Sequence, residues 1–252
     1  MKITAIIPTF NEEIHIKDSI KSVDFADEIL VIDSFSTDAT VSLAKQHPVR
    51  VIQRTFDDFS SQKNYAINLA KHEWIYILDA DERVTPELKK EILNIDARTT
   101  QFVGFSVRRS FYIGNKQIKY TGWQRDKVIR LFRKSKCKYN GSKVHETIQA
   151  AGSIGFFKHK VDHFSFRDFN HYITKQQLYA KIQAQQLHEN GQKVTLFHLF
   201  VKPTVTFIIH YFIRLGFLDG SSGFLISKIK AYGVLDRYMN LWCLNNKKSY
   251  TS

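Results

Sequence analysis

The sequence predicts an α/β fold with a mostly parallel central sheet and helices on both faces. Two observations lead to this prediction. Short apolar runs of strand length alternate with segments of helical spacing through the first 97 residues, and the apolar runs end at polar or acidic side chains. With 252 residues, the chain is long enough for one large α/β domain or for a core domain with an appendage, and we favour the second.

The predicted elements alternate in chain order. Strands are expected at 3–7, 29–32, 49–52 and 74–78, and helices across 16–23, across 41–44, at 60–70 and after Thr85. The last of these helices has the clearest start, because Thr85 is a good cap, Pro86 suits the first helical position and Glu87 is an early acid. Strands that alternate with helices in this way pair in parallel.

Two aspartates, Asp79 and Asp81, directly follow the apolar run 74–78. Alternate residues of an extended segment point the same way, so both carboxylates can enter one pocket. A divalent cation such as Mg²⁺ or Mn²⁺ is a suitable counter-charge, because it prefers oxygen ligands. For an isolated Asp-X-Asp the plainer interpretation is a surface turn after a core strand.

The other strand ends favour a binding site over a turn. Ligands of parallel α/β sheets bind outside the carboxyl ends of the strands. The polar residues at those ends are Thr9, Asn11, Glu12, Asp33, Asp79 and Asp81. The sequence has neither a Gly-x-Gly-x-x-Gly turn after the first strand nor a Gly-Lys-Ser/Thr loop, so a phosphate ligand would need a metal and basic side chains.

From Phe102 the pattern changes to alternating, β-rich and strongly basic segments. The cations of this region include Arg108, Arg109, Arg125, Lys127, Arg130 and Arg133. Most of them are expected to lie on a solvated strand face, although an unspecified subset could bind phosphate. Glu146 is either an exposed glutamate or a general base. His159 and His163 lie in an alternating segment and are interpreted as structural.

Charge is distributed unevenly along the chain, whose net charge is +13. Lys+Arg and Asp+Glu number 11 and 17 in residues 1–97, 13 and 1 in 98–145, and 13 and 6 in 146–252. A basic second half attracts an anionic partner: nucleic acid, an acidic membrane or a phosphorylated substrate. The basic region has no recognised nucleic-acid motif.

The C-terminal part is predicted to be helical. An amphipathic helix is expected over 168–190, closed by Gly191, followed by an apolar segment at 203–217, a glycine-rich loop at 216–223, a last helix to about 242 and a disordered tail from 245. The apolar segment either packs on the core or lies in a membrane interface, with Lys202, Arg214, Lys228 and Lys230 facing lipid phosphates. It is too short for a confident transmembrane span.

Two features bear on location. Cys137 and Cys243 are far apart and lack the paired spacing of a zinc site, which indicates a reducing compartment. No apolar core of a secretion signal follows Met1, so a cytoplasmic location is expected.

Four motifs together resemble the inverting family 2 nucleotide-sugar glycosyltransferases. They are Pro8-Thr9-Phe10-Asn11-Glu12, Val31-Ile32-Asp33-Ser34 with Ser36 to Thr40, Gln62-Lys63-Asn64, and Leu78-Asp79-Ala80-Asp81. Arg130 to Arg133, Val144-His145-Glu146 and Leu218-Asp219-Gly220 are similar to the subgroup of bacterial lipopolysaccharide-core β-glucosyltransferases. The resemblance implies an A-type glycosyltransferase fold, with a catalytic domain at 1–165 and a helical, basic, membrane-associating extension at 166–252. Within the catalytic domain, 1–97 would bind the nucleotide sugar and 98–165 would form the acceptor side.

The resemblance also implies roles for individual residues. Pro8, Thr9, Glu12 and Asp33 would bind the uridine part of the donor, with Lys63 near it. Asp79 and Asp81, the DXD motif, would hold the diphosphate through Mg²⁺ or Mn²⁺. Glu146 stands at the position of the subgroup's base, where other family members have a Glu-Asp or Asp-Asp pair.

The expected activity is metal-dependent, inverting transfer of a hexose, glucose from UDP-glucose, to a phosphorylated lipopolysaccharide inner core. The expected location is peripheral, on the inner face of the cytoplasmic membrane. One alternative is transfer to a polyprenyl phosphate or another glycan by the same fold. The alternative of another class is a non-catalytic basic module that binds membranes or nucleic acid, although such a module has no need for acids gathered at strand ends.

Overall fold

The computed structural model describes residues 1–141 and 147–246. The chain forms two compact units. The sheet unit comprises Met1–Arg109 and Asp126–His163, and the helical unit comprises Ser110–Arg125 together with the chain from Phe164 onward. The predicted division into a catalytic domain and an extension at 165 concerns function and stays a prediction.

The elements of the first part alternate as expected. They are β1 (Ile3–Thr9), α1 (Ile16–Ser22), β2 (Glu28–Asp33), α2 (Thr40–Ala44), β3 (Arg50–Gln53), α3 (Phe59–Leu69), β4 (Trp74–Ile77), β5 (Glu82–Val84) and α4 (Pro86–Leu93). β6 (Gly104–Ile113), β7 (Lys116–Ile118), β8 (Lys127–Arg133), β9 (Cys137–Tyr139), β10 (Ile148–Ala150), β11 (Ile154–Phe156) and β12 (Val161–Phe166) follow. The chain continues with α5 (Phe169–Glu189), α6 (Lys202–Ile208) and α7 (Gly220–Asn245).

The sheet unit contains a mixed sheet in the order β3-β2-β1-β4-β8-β6. β1, β2, β3 and β4 are parallel, whereas β8 pairs antiparallel with both β4 and β6. β11 pairs with β6, β5 pairs antiparallel with β12 over 161–163, and β9 and β10 form a separate hairpin. The predicted α/β fold is therefore confirmed.

Both faces of this sheet are covered by helices. Ile3, Ala5 and Ile7 belong to one core cluster, which also contains buried residues of α1, α2 and α4. Ile6, on the alternate face of β1, belongs to a second cluster that includes Ala66 of α3. Neighbouring residues of a strand point to opposite faces of the sheet. Because helices cover both faces, residues on both must be apolar, which explains the uninterrupted Ile and Val runs.

Side-chain caps begin three helices where the sequence places polar residues. Asp58 accepts the N–H of Ser61 at the start of α3, and Thr85 accepts that of Leu88 at the start of α4. Asp168 accepts the N–H of His171 at the start of α5. Each cap satisfies a backbone donor that has no partner inside its helix.

The helical unit corrects one prediction. The glycine-rich segment 216–223 is not an extended loop, since a 3₁₀ turn covers Gly216–Asp219 and α7 starts at Gly220. A Cβ at Gly223 would lie 1.8 Å from the carbonyl oxygen of Gly216, so the absence of a side chain permits this close backbone approach. Gly216 and Gly223 therefore let the two backbone segments pack closely against each other.

The apolar segment before α7 is helical, with π turns at Phe197–Val201 and Ile209–Ile213 on either side of α6. Within the described residues, no single helix combines the length and apolarity of a membrane span. The pair Phe197–Ile213 and Gly216–Asn245 meets that criterion only when taken together, and it bends by 70°.

Candidate active site

The carboxyl ends of the parallel strands bring several predicted site residues to one edge of the sheet. β1 and β2 pair so that Pro8 lies opposite Ile32 and Thr9 lies opposite Asp33. β4 lies on the other side of β1, and Asp79 follows its end. Thr9 and Asp33 are buried, and the Thr9 Oγ1 has no hydrogen-bond partner among the described residues.

Asp33 organises the loop after β2. Its carboxylate accepts hydrogen bonds from the backbone N–H and hydroxyl of Ser36 and from the Gln53 side-chain amide. Ser36 also accepts the Asn11 N–H, at 2.8 Å, which joins this loop to the one after β1. The predicted uridine ligand Asp33 therefore shapes the loops, and its carboxylate already has three donors.

Glu12 lies in the loop between β1 and α1 and is half-buried. Its backbone N–H donates to Thr40 Oγ1, and its carbonyl accepts the N–H groups of His15 and Ile16. The predicted uridine-binding residues Thr9 and Asp33 thus end β1 and β2, and Glu12 lies in the first of the two loops that follow these strands and are hydrogen-bonded to each other. Their roles toward a nucleotide stay predictions.

Asp79 is paired with two cations. An Arg130 N–H donates to its Oδ2 at 2.5 Å, and the Lys63 Nζ lies 3.7 Å from its Oδ1. Burial alone would raise the pKa of Asp79, but Arg130 and Lys63 outweigh burial and hold it well below its usual range. Asp79 is therefore ionised, and Lys63, which was expected near the uridine, lies beside this carboxylate.

Arg130 links Asp79 to Glu82, which is fully buried. Burial raises the pKa of Glu82, opposed by the nearby charge of Arg130. Arg109 approaches the same Glu82 carboxylate at 3.8 Å and also donates to Asp126. The expectation that most cations of this basic segment form a solvated strand face is wrong for Arg109 and Arg130.

Asp81 has a different environment. Its Oδ2 lies 3.2 Å from the His163 Nε2, which β12 brings beside β5. Burial would raise the pKa of Asp81, but the contact with His163 keeps it lowered, against a smaller opposing effect of Asp79. The side chain is 22% exposed. His163, interpreted as structural from its strand pattern, thus contacts a predicted metal ligand.

Sequence reasoning named Arg130 only as one of several cations that could bind phosphate, and it missed Glu82 and His163 as site residues. Two weak signals were present, since Glu82 directly follows Asp81 and Arg130 interrupts the apolar face of a strand. No local signal marks His163, because its contact with Asp81 depends on the pairing of β12 with β5. The predicted base Glu146 lies outside the described residues.

The carboxylates of Asp79 and Asp81 suit a hard divalent cation that takes most of its other coordinating oxygens from a bound substrate and water. Among the residues that the structure describes, no three His, Cys, Asp or Glu side chains form a cluster that could hold a metal ion. Mg²⁺ is ordinarily bound by one or two carboxylates, with water and substrate phosphates completing the shell. Asp81 is partly exposed and forms no ion pair with Arg or Lys among the described residues, so it is the better-placed ligand of the two.

With this geometry in place, comparison with known proteins identifies the family. The family model described as "Glycosyl transferase family 2" matches residues 4–162, which contain every predicted donor-site residue. The chain belongs to glycosyltransferase family 2. It is therefore a glycosyltransferase with the A-type fold. Its candidate active site is the edge where Asp79 meets Lys63 and Arg130, with Asp81 and His163 beside it.

Relatives match over most of their length. An uncharacterized glycosyltransferase of Rickettsia felis is 31% identical, over 92% of this chain and 86% of the relative. The lipopolysaccharide core biosynthesis glycosyltransferase LpsC of Rhizobium meliloti is 28% identical, over 89% and 86%. Among solved structures, S. aureus TarS 1–349 aligns with a TM-score of 0.48 at 17% identity, over 99% of this chain and 92% of that one.

Proposed function

We propose that this glycosyltransferase transfers a hexose, glucose from UDP-glucose, with inversion to an acceptor in the lipopolysaccharide inner core. The observation that carries the proposal is the pair Asp79 and Asp81 at the carboxyl edge of the parallel sheet, beside the buried cations Lys63 and Arg130. Similarity to LpsC, which is described as a lipopolysaccharide core enzyme, supports the choice of acceptor.

The donor's uridine is assigned to the loops after β1 and β2. The buried Thr9 hydroxyl has no partner among the described residues, and such groups ordinarily find one. A nucleotide bound over Pro8, Thr9 and Glu12 would supply that partner. Asp33 would act on the nucleotide by fixing these loops as well as by direct contact, since its carboxylate can accept about one further hydrogen bond.

The diphosphate is assigned to Asp79, Asp81 and Mg²⁺ or Mn²⁺. Asp81 would ligate the ion, and Asp79 would contribute its charge while Arg130 and Lys63 hold it in place. The bound metal supplies positive charge that stabilises the leaving diphosphate. Lys63 lies against the ring of Tyr139, 5.2 Å from its centroid, which orients the ammonium group.

Glu146 is proposed as the general base. In an inverting transfer, a carboxylate removes the proton of the acceptor hydroxyl as its oxygen attacks the anomeric carbon from the side opposite the leaving group. The proposal rests on the Val144-His145-Glu146 motif and on the position of this motif in the chain.

The function is tested by measuring sugar transfer from a panel of nucleotide sugars to lipopolysaccharide from a deletion strain, with wild-type protein and Glu146→Gln. We expect UDP-glucose to be the preferred donor and the β-linked product to form. Glu146→Gln should slow transfer by about a hundredfold or more, because the amide cannot accept the proton. Donor affinity should stay near the wild-type value.

Two results would contradict parts of this proposal. Transfer only to a polyprenyl phosphate would replace the acceptor while keeping the family chemistry. If Glu146→Gln transfers normally, whereas Asp126→Asn or Asp162→Asn binds donor but does not transfer it, the base is one of these other acids.

We also propose that the enzyme works as a peripheral protein on the inner face of the cytoplasmic membrane. Several apolar side chains are exposed at the bend between α6 and α7, and they include Phe212, Ile213, Leu215, Phe217 and Leu218. Exposed apolar surface beside cations is the pattern of interfacial membrane binding. Of the four cations expected to face lipid, Lys228 is exposed, and Lys202, Arg214 and Lys230 are half-buried.

Vesicle binding tests this location. Wild-type protein should sediment with anionic vesicles, less so as salt rises. Ile213→Asp should weaken vesicle binding roughly tenfold or more, because it removes an apolar side chain that would be buried in the membrane interface and adds an anion. The control Leu93→Asp changes an aliphatic side chain of α4 in the sheet unit that is 52% exposed, against 69% for Ile213, and it should bind normally. Equal binding of the two variants, or none by wild type, would refute the interfacial role.

A further inference from the structure

The helical unit contains a polar cavity of about 230 Å³ between α5, α6 with its following π turn, and α7. Its polar lining includes Gln176, Gln183, His210, Lys230 and Arg237. Lys230 and Arg237 are seven residues apart on α7, which places them on the same side of the helix. Gly233, between them, leaves the space beside Gln176 open, since a Cβ there would contact the amide oxygen at 3.5 Å.

Lys230 is a half-buried cation with no anionic partner among the described residues. Within the described residues it has no hydrogen bond or ion pair, and its Nζ lies 5.5 Å from the centroid of the Trp123 ring. Burial, together with the charge of Arg214, lowers the pKa of Lys230 to about 8. An ammonium group in this setting is stabilised by any anion that can reach it.

The acids of the helical unit are engaged elsewhere. Its four acidic residues are Asp168, Glu189, Asp219 and Asp236. Asp168 caps α5 and Asp219 accepts the N–H groups of Lys119 and Tyr120. Glu189 accepts from a side-chain amide one turn earlier on its own helix, and the Oδ1 of Asp236 accepts from one a turn later. The Oδ2 of Asp236 is buried and has no hydrogen-bond partner among the described residues. None of the four lines the described cavity.

His210 adds no charge of its own. Burial and Lys230 lower the pKa of His210 to about 4, so the ring is neutral at pH 7. Its Nδ1–H donates to the Thr121 carbonyl at 2.6 Å, which leaves Nε2 to accept from Arg214. The charge of the cavity therefore comes from Lys230 and Arg237, and the Arg237 Nε is also buried without a hydrogen-bond partner.

A second, mostly apolar cavity of about 260 Å³ lies alongside. The two share Thr206, Val234 and Arg237, and the apolar one is also lined by Phe197 and Val205. A ligand with an anionic head and an apolar tail would fit both cavities, because its head would lie against the cations and its tail against the apolar side chains.

We propose that the cavity formed by Lys230 and Arg237 is a binding site for a phosphate group, separate from the site at Asp79 and Asp81. Arginine and lysine together recognise phosphate by charge and directed N–H groups. The phosphate could be a lipid headgroup or a free phosphate. The inference does not depend on the donor, acceptor or metal proposed above.

The test is calorimetric titration of the full chain in EDTA, without nucleotide, using inorganic phosphate and dihexanoyl phosphatidic acid below its micelle concentration. Wild type should bind at least one probe, and Lys230→Met should weaken that binding by about tenfold or more. Arg237→Gln is a second variant with the same expected direction. The control Lys181→Met removes an exposed cation of α5 in the same unit and should bind within about twofold of wild type.

Asp81→Asn separates this site from the donor site, because binding that persists in Asp81→Asn but falls in Lys230→Met belongs to the cavity. Tighter binding of phosphatidic acid than of phosphate indicates a lipid headgroup, and equal binding indicates a free phosphate; both support the site. Absence of binding by folded wild type overturns it. So does equal affinity of wild type, Lys230→Met and Arg237→Gln, with folding checked by thermal unfolding.

Discussion

Arg130→Met is expected to lower the free energy of unfolding by about 3–5 kcal/mol, the scale measured when one partner of a buried ion pair is removed. The Arg130 side chain is 4% exposed and donates to both Asp79 and Glu82. Methionine fills similar volume but leaves two acids close together without this cation. Urea unfolding at pH 7 measures the change, and donor binding should be lost with it.

Two further variants show whether the loss of stability comes from the buried ion-pair network. Lys127→Met, on the exposed side of the same strand β8, should change stability by no more than about 0.5 kcal/mol. Adding Glu82→Gln to Arg130→Met should recover part of the loss, because it removes one of the uncompensated charges. A loss below about 1 kcal/mol for Arg130→Met would show that the network contributes little to folding.

Asp81→Asn is expected to abolish metal-dependent donor binding and nearly all turnover while the protein stays folded. The amide is a neutral and weaker ligand for Mg²⁺ or Mn²⁺. Folding should survive, because asparagine can still form a hydrogen bond with His163 and the Arg130 network is untouched. Titration with UDP in the presence and absence of Mg²⁺, with transfer rates, measures both effects.

The matched control is Asp24→Asn, an exposed carboxylate of the sheet unit that pairs with Lys89. It should keep wild-type donor binding and turnover, since surface ion pairs contribute little. EDTA should inactivate wild type to the level of Asp81→Asn, and added Mg²⁺ or Mn²⁺ should restore it. Full activity in EDTA, or in the variant, would remove the metal from the proposal.

Strand, helix and cap positions could be predicted from local patterns. The apolar runs ending at Thr9, Asp33 and Asp79 identify strands that are buried on both faces, because such strands lack polar alternation. Thr85 and Pro86 mark a helix start for reasons that involve only neighbouring backbone groups. The glycines at 216–223 were misread, because the contact that requires them joins two backbone segments.

By itself the sequence determined the parallel α/β core and the edge at which its acids collect, since strand order within βαβ units fixes where the carboxyl ends lie. Only the tertiary structure decided which cations meet those acids. Antiparallel pairing of β8 with β4 places Arg130 one residue beyond the Tyr76–Leu131 pair, and pairing of β12 with β5 places His163 at Asp81. These contacts join residues 51 and 82 positions apart. A charged residue's burial is set by what packs over it, and at such separations no local pattern carries that information.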